Sequence, residues 1–86
     1  MKVRIKRSVA ISDSGFVFDA STGDSYTLNQ VGLDILQRIR EGKSDSEITA
    51  ELEERYDVDR DTLERYFYDF LVSLKQMQLI EDHVEA

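Results

Sequence analysis

The spacing of apolar residues changes abruptly at Asn29, and this change divides the chain into a strand part and a helical part. Before it, Tyr26 and Leu28 alternate with polar residues, which is the period-two pattern of a half-buried strand. From Val31 onward the apolar residues recur at helical spacing. Asn29 itself is suited to cap the new helix by accepting a hydrogen bond from a backbone N–H two or three residues later. The sequence therefore predicts a sheet first and helices afterwards.

Three strands are predicted before this change. The first lies within residues 3–11, with a bulge or a break into two short strands around residues 6–8. A Gly-containing turn leads to the second strand at residues 16–18, and a longer loop at residues 19–24 leads to the third. Two consecutive hairpins place the third strand at an edge of the sheet. The residues expected on one apolar face are Val9, Ile11, Phe16, Phe18, Tyr26 and Leu28.

Three helices are predicted in the second part. The first covers about residues 30–40 and ends before Gly42, a favourable residue just after a helix. The second starts at Ser44, where Ser-Asp-Ser-Glu fits a capping box. The third begins at Asp59 or Asp61, with an aspartate as its cap, and continues to about Gln78. The apolar stripe of the third helix consists of Leu63, Phe67, Phe70, Leu71, Leu74 and Met77. The expected fold is α+β and winged-helix-like, with the order β-β-β-α-α-α.

The length of 86 residues allows one domain, which we expect to span residues 1–81 with a flexible acidic tail at residues 82–86. No apolar run approaches the roughly 20 residues that cross a bilayer. No signal-peptide pattern opens the sequence, so we expect a cytoplasmic location and no membrane partner. The net charge of −7 opposes binding to nucleic acid. A winged-helix DNA-binding regulator stays an alternative, although acidic residues at the start of the third helix count against it.

The residues offer no recognisable catalytic or metal-binding group. The sequence has no cysteine, and its one histidine, His83, lies in the acidic tail. Asp57, Asp59 and Asp61 alternate as in a calcium loop, but the glycine and the distal glutamate that such a loop needs are not at the required spacings. Helix capping explains these aspartates better. We therefore predict a protein that is not an enzyme and holds no cofactor or metal.

The order and spacing of several short motifs resemble a known family. Tyr-x-Leu-Asn ends at Asn29, Gly-Lys-Ser-Asp begins at Gly42, Tyr-x-Val begins at Tyr56, and Leu-Ile closes the last helix at Ile80. Taken together, from about Val9 onward, they resemble the PqqD-like proteins. These are small domains that recognise precursor peptides of ribosomally made, post-translationally modified natural products. The resemblance implies a non-catalytic peptide chaperone that presents its cargo to a modifying enzyme.

The resemblance also implies where the peptide binds. An extended leader peptide would add as a strand to the third strand, in a cleft walled by the third helix. Its partners would be the precursor and a modifying enzyme, such as a radical SAM protein or a lasso-type protease or cyclase. Two arginines, Arg60 and Arg65, could meet acidic leader residues or form surface pairs with Asp61 or Asp69. The residues predicted to bind the peptide are Asp24, Ser25, Tyr26, Thr27, Leu28, Arg60, Leu63, Tyr66, Phe67 and Phe70.

Two alternatives stay open at this stage. The exposed third strand could pair with its own copy, which would make the protein an edge-strand dimer instead of a monomer. In addition, Tyr68 and Val72 fall on the side of the third helix opposite its apolar stripe. Such a pair is either a scattered surface contact, a self-association patch or part of a groove for a partner. Leu63 and Phe67 could equally belong to the core alone.

Overall fold

Five strands and three helices follow one another within residues 3–82. The structure, a computed structural model, describes residues 3–82. In chain order the elements are β1 (Val3–Ile5), β2 (Val9–Ile11), β3 (Phe16–Asp19), β4 (Ser25–Thr27), α1 (Gln30–Arg40), α2 (Asp45–Arg55), α3 (Arg60–Gln76) and β5 (Ile80–Asp82). The predicted α+β class and the three helices that follow the strands are confirmed.

The three-stranded antiparallel sheet has the order β2-β3-β4. Its strands are neighbours in sequence, so two successive hairpins build it, and β4 lies at an edge as predicted. The loop between β3 and β4 is closed by a hydrogen bond from the Asp19 N–H to the Asp24 carbonyl at 2.9 Å. Within this loop Gly23 has φ 81°, a conformation that glycine adopts without steric cost.

A second, two-stranded ribbon was not predicted. β1 pairs antiparallel with β5, with Val3 opposite Asp82 and Ile5 opposite Ile80. The break expected around residues 6–8 is thus real, since it sends β1 and β2 into different sheets. Asp82, predicted as the first residue of a flexible tail, is instead the last residue of β5. The rest of the predicted tail, including His83, lies outside the described residues.

The predicted apolar face of the three-stranded sheet is wrong for β3. Val17 is fully buried in the core, whereas the side chains of Phe16 and Phe18 are 46% and 39% exposed on the opposite face. The reason is the register, which pairs Val17 with Tyr26 and therefore puts these two side chains on the same side of the sheet. The four-residue loop between Asp19 and Asp24 fixes this register.

The helix ends follow the capping signals in the sequence. Asn29 precedes α1 and its side chain accepts from the Gly32 N–H at 2.8 Å, as predicted. Gly42 follows α1 with φ 83°. Ser44 and Glu47 form both hydrogen bonds of the predicted capping box at the start of α2, and Asp59 caps α3. These caps satisfy backbone N–H groups that would otherwise lack a partner.

The core lies where the helices meet the inner face of the sheet and the ribbon. It takes the inward residues of all three helices, together with single residues from the sheet and the last strand. Its members with the smallest exposure are Val17, Ile35, Leu36, Ile48, Leu52, Leu74 and Leu79. One carboxylate, that of Asp19, is also buried on the inner face and accepts hydrogen bonds from the Ser21 N–H at 3.0 Å and the Ser21 hydroxyl at 2.7 Å. That carboxylate therefore has the partners that burial requires.

Candidate functional site

The free edge of β4 presents an unpaired set of backbone groups. The Asp24 carbonyl accepts from β3, and the Leu28 N–H donates to the Gly15 carbonyl at 2.8 Å. Bonding direction alternates along a strand, so Asp24, Tyr26 and Leu28 direct their backbone groups towards β3. The N–H and carbonyl groups of Ser25 and Thr27 therefore point away from the sheet. Within residues 3–82, no strand pairs with this edge.

The side chains of β4 alternate between the two faces of the sheet. Tyr26 is half-buried and packs against the core, as does Leu28 just beyond the strand. Ser25 and Thr27 are exposed on the outer face, opposite Phe18 and Phe16 respectively. A strand added to this edge would thus have one face turned towards the helices and the other towards solvent. Of residues 24–28, which were predicted to bind the peptide, only Ser25 and Thr27 have backbone groups that point outward.

A pair of aromatic rings on α3 lies beside the start of α1. The rings of Tyr66 and Phe70 are stacked, with centroids 6.2 Å apart and planes inclined by 10°. Tyr66 is 38% exposed and Phe70 is half-buried. Because the tip of the Phe70 ring lies against Gly32, these rings are close to the point where the chain leaves β4. The start of α1 therefore brings the Tyr66–Phe70 pair near the end of β4.

Gly32 lies under the Phe70 ring and was not singled out from the sequence. A Cβ atom at this position would lie 3.1 Å from Phe70 Cζ and 3.2 Å from Asn29 Oδ1. That spacing is tighter than most packing contacts, so the Phe70 ring or the Asn29 side chain would have to shift by a few tenths of an ångström. The absent side chain lets the Phe70 ring come down onto α1 while Asn29 keeps its capping hydrogen bond. A glycine in the first turn of an otherwise good helix is the sequence signal that could have indicated such a close approach.

Two of the predicted groove residues belong to the core instead. Leu63 and Phe67 are buried, and both are members of the main apolar cluster together with Leu71. Their side chains hold α3 in place and are not exposed to a peptide. The structure thus separates the apolar residues of α3 into a core row and the flanking pair Tyr66 and Phe70.

The two arginines proposed for acidic leader residues have different surroundings. The Arg60 guanidinium pairs with Glu64 at 3.1 Å and lies 3.8 Å from the Glu53 carboxylate of α2. Arg60 therefore faces α2, and its partners are not the predicted Asp61 or Asp69. Arg65 is exposed, and within the described part of the chain it makes no hydrogen bond or ion pair. Tyr68 and Val72 are exposed, as predicted.

A buried polar cluster joins α1 to the end of α2. The carboxylate of Asp34 is nearly inaccessible, and it accepts hydrogen bonds from the Tyr56 hydroxyl and from Gln30 Nε2 at 3.1 Å. Arg55 Nε lies 3.1 Å from the same carboxylate and balances its charge. Burial, together with the hydrogen bond to Asp34, raises the pKa of Tyr56 above its ordinary value. Every polar group here has a partner, so the cluster is a structural link between α1 and α2.

The described residues contain no cluster of side chains suited to holding a metal ion. Across residues 3–82, no group of three or more His, Asp or Glu side chains is placed to hold a metal ion. In the same range, no helix is both long enough and apolar enough to cross a membrane. What the site offers is a sheet edge and two aromatic rings. These groups are suited to binding an extended chain.

Comparison with known proteins places the chain in a family. The sequence profile of the family described as coenzyme PQQ synthesis protein D (PqqD) matches residues 15–80. Among solved structures, the chain is similar to TbiB1 in complex with the TbiA(beta) leader peptide, with 32% identity and a TM-score of 0.84 over 95% of this chain and 99% of that one. It is also similar to a lasso peptide synthetase B1 complexed with the leader peptide, with 27% identity and a TM-score of 0.82 over 94% and 99% of the two chains. No curated protein matches.

Proposed function

Because this chain belongs to the PqqD family, we propose that it is a non-catalytic module that captures the leader of a ribosomally made precursor peptide. The leader adds as a strand to the free edge of β4. Both similar solved structures are complexes with a leader peptide, which supports this assignment. The module then presents the precursor to a modifying enzyme. Likeness to a lasso peptide synthetase B1 favours a lasso-type protease or cyclase over a radical SAM protein as that enzyme.

The observation that carries the proposal is the unpaired edge of β4 beside two partly exposed rings. Ser25 and Thr27 each offer one N–H and one carbonyl, which is what an incoming strand needs for a ladder. Tyr66 and Phe70 supply apolar surface for the side chains that turn towards the helices. In this mode of recognition, backbone hydrogen bonds supply affinity and side-chain contacts supply selectivity.

The residues proposed to contact the peptide follow from this geometry. The backbone of Ser25 and Thr27 forms the ladder, and Tyr26, Tyr66 and Phe70 contribute side-chain surface. Asp24 and Leu28 flank the ladder. Arg60, Leu63 and Phe67 leave the proposed set, because the first is paired towards α2 and the other two are buried.

A titration followed by backbone-amide NMR tests the proposal. The probe is a synthetic peptide with the leader sequence of the precursor encoded beside this protein's gene. We expect amide shifts at residues 24–28 and in the part of α3 that carries Tyr66 and Phe70, with little change in α2. Shifts confined to other elements, or none at millimolar peptide, would contradict capture at this edge. A parallel titration with duplex DNA should leave the spectrum unchanged, since the start of α3 is acidic and Arg60 is already paired.

A further inference from the structure

Two phenyl rings lie on the outer face of the three-stranded sheet, turned away from the core. Phe16 and Phe18 are two residues apart on β3, so they stand on the same face. Neither belongs to the buried core cluster, and both side chains are exposed. Isolated apolar side chains on a surface are ordinary. These two rings share one face of the middle strand, one strand away from an open edge.

The residues between these rings and the open edge are small. Thr27 stands opposite Phe16, and Ser25 stands opposite Phe18. Both pairs are of the non-hydrogen-bonded type, because the bonding positions of β4 are Asp24, Tyr26 and Leu28. Side chains are closest in pairs of this type. Ser25 and Thr27 therefore leave the space above the edge strand open to anything that reaches across it.

A peptide strand on the β4 edge would enter that space. It would lie about 4.8 Å beyond β4, and hence roughly 10 Å from β3. Its residues opposite Ser25 and Thr27 are two positions apart and point to the same face as the two phenyl rings. An aromatic or long aliphatic side chain at either position spans the remaining distance over the small β4 residue and meets the ring of Phe18 or Phe16.

We propose that this protein recognises its peptide on both faces of the added strand, and that Phe16 and Phe18 bind two large apolar side chains spaced i and i+2 in the peptide. This inference rests on the proposed function and specifies the ligand further. One set of alternate peptide residues faces Tyr66 and Phe70, and the other set faces the two phenyl rings. The preferred ligand is thus an extended segment that carries apolar side chains on both of its faces.

The test is a selection from a display library of random 12-residue peptides. Wild-type protein is compared with the double variant Phe16→Ala/Phe18→Ala and with Thr27→Pro, which removes an edge N–H. A matched control is Tyr68→Ala/Val72→Ala, which removes the other exposed apolar pair, on the back of α3. Circular dichroism establishes that each variant is folded. Fluorescence anisotropy then measures the affinity of each enriched peptide.

We expect wild-type protein to enrich peptides that bind through the Thr27 edge and carry two large apolar residues at i and i+2. The Phe16→Ala/Phe18→Ala variant should bind these peptides about 2- to 30-fold more weakly, the range for two lost cross-strand side-chain pairs. Changing the same two peptide residues to serine should cause a similar loss with wild-type protein and no further loss with the variant. The Tyr68→Ala/Val72→Ala variant should bind normally.

Two results would overturn the proposal, and they are distinguishable. In the first, a peptide does not bind Thr27→Pro but binds the Phe16→Ala/Phe18→Ala variant with the same affinity as it binds the wild-type protein. This result would refute outer-face recognition and leave strand capture intact. The phenyl pair would then belong to a contact with another protein. In the second, the selection yields no peptide whose binding is weakened by Thr27→Pro. This result would refute the proposed function together with this inference.

Discussion

The ring of Phe70 rests on Gly32, with only 3.1 Å between its Cζ atom and the place where a Cβ of residue 32 would be. This contact joins α3 to the first turn of α1 and brings the aromatic pair beside the end of β4. The width of the proposed groove therefore depends on a missing side chain as much as on the rings themselves.

Replacing Gly32 with alanine should displace the Phe70 ring towards the groove and weaken peptide binding. The gain in helix propensity, about 1 kcal/mol, opposes an overpacking cost of about 1–3 kcal/mol. The free energy of unfolding of the variant should therefore be lower than that of wild type by up to about 2 kcal/mol. Peptide titration and denaturant unfolding measure the two effects. In a Phe70→Ala background, Gly32→Ala should have little effect on peptide affinity. If it lowered peptide affinity as much as it does in the wild-type protein, the proposed contact would be contradicted.

Proline at Thr27 and proline at Tyr26 should have opposite consequences. The Thr27 N–H points away from the sheet, so Thr27→Pro should leave the fold intact and lower peptide affinity about tenfold or more. The Tyr26 N–H bonds to β3, so Tyr26→Pro should disrupt the sheet. Circular dichroism and NMR titration distinguish the two variants. An unfolded Thr27→Pro protein would show that the edge assignment is reversed.

Removing the Tyr56 hydroxyl should destabilise the protein without affecting the β4 edge. In Tyr56→Phe the buried Asp34 carboxylate keeps Gln30 and Arg55 but loses one donor, which should cost about 1–3 kcal/mol of unfolding free energy. Urea unfolding at neutral pH provides the measurement. Peptide affinity should stay unchanged, and a matching loss of affinity would mean that the α1–α2 link also shapes the groove.

The same tyrosine should make stability decline at alkaline pH. Burial, and next the hydrogen bond to Asp34, raise the pKa of Tyr56 above 10.0, its ordinary value. A raised pKa means that the folded state favours the protonated hydroxyl. Its contribution is therefore complete below pH 10.0 and is lost as pH rises through the folded-state pKa. The Tyr56→Phe variant should show a flatter alkaline limb in unfolding experiments, and an equally steep one would assign the decline to other groups.

Asp19 should contribute to acid sensitivity. Hydrogen bonds from the Ser21 and Ser8 side chains lower the pKa of its carboxyl group. A lowered pKa means that stability is present above the unfolded-state value and is lost as pH falls through the folded-state value. Asp19→Asn should therefore have a lower free energy of unfolding than wild type at neutral pH. That free energy should also fall less than the wild-type value when the pH is lowered. Ser21→Ala, which removes one donor, should lie between the two; equal slopes for all three proteins would contradict this role.

Most of the fold could be predicted because its signals are local. Asn29, Ser44 and Asp59 each mark a helix start, and a cap depends only on the next few residues. The edge position of β4 followed from two short connections. These features also place the β4 edge in the sequence, so one wall of the candidate site could be anticipated.

The errors concern relations that no local pattern specifies. The sequence Phe-Val-Phe reads as two inward rings, but the loop between Asp19 and Asp24 sets the register and turns Val17 inward. On α3, helical spacing groups Phe67 with Phe70, whereas the placement of α1 leaves Phe67 buried in the core and Phe70 half-buried against Gly32. The strand β5 is too short and polar to be visible by pattern.

The pairing of β1 with β5 also has a kinetic consequence. Arg4 and Glu81 bond across 77 positions of sequence, whereas β2, β3 and β4 are joined by short turns. Closing so long a loop costs more chain entropy than closing a hairpin, so we expect the ribbon to form after the folding transition state. Substitutions in β1 or β5 should then speed unfolding and leave the folding rate almost unchanged. The sheet that carries the open edge would be assembled before the two ends of the domain meet.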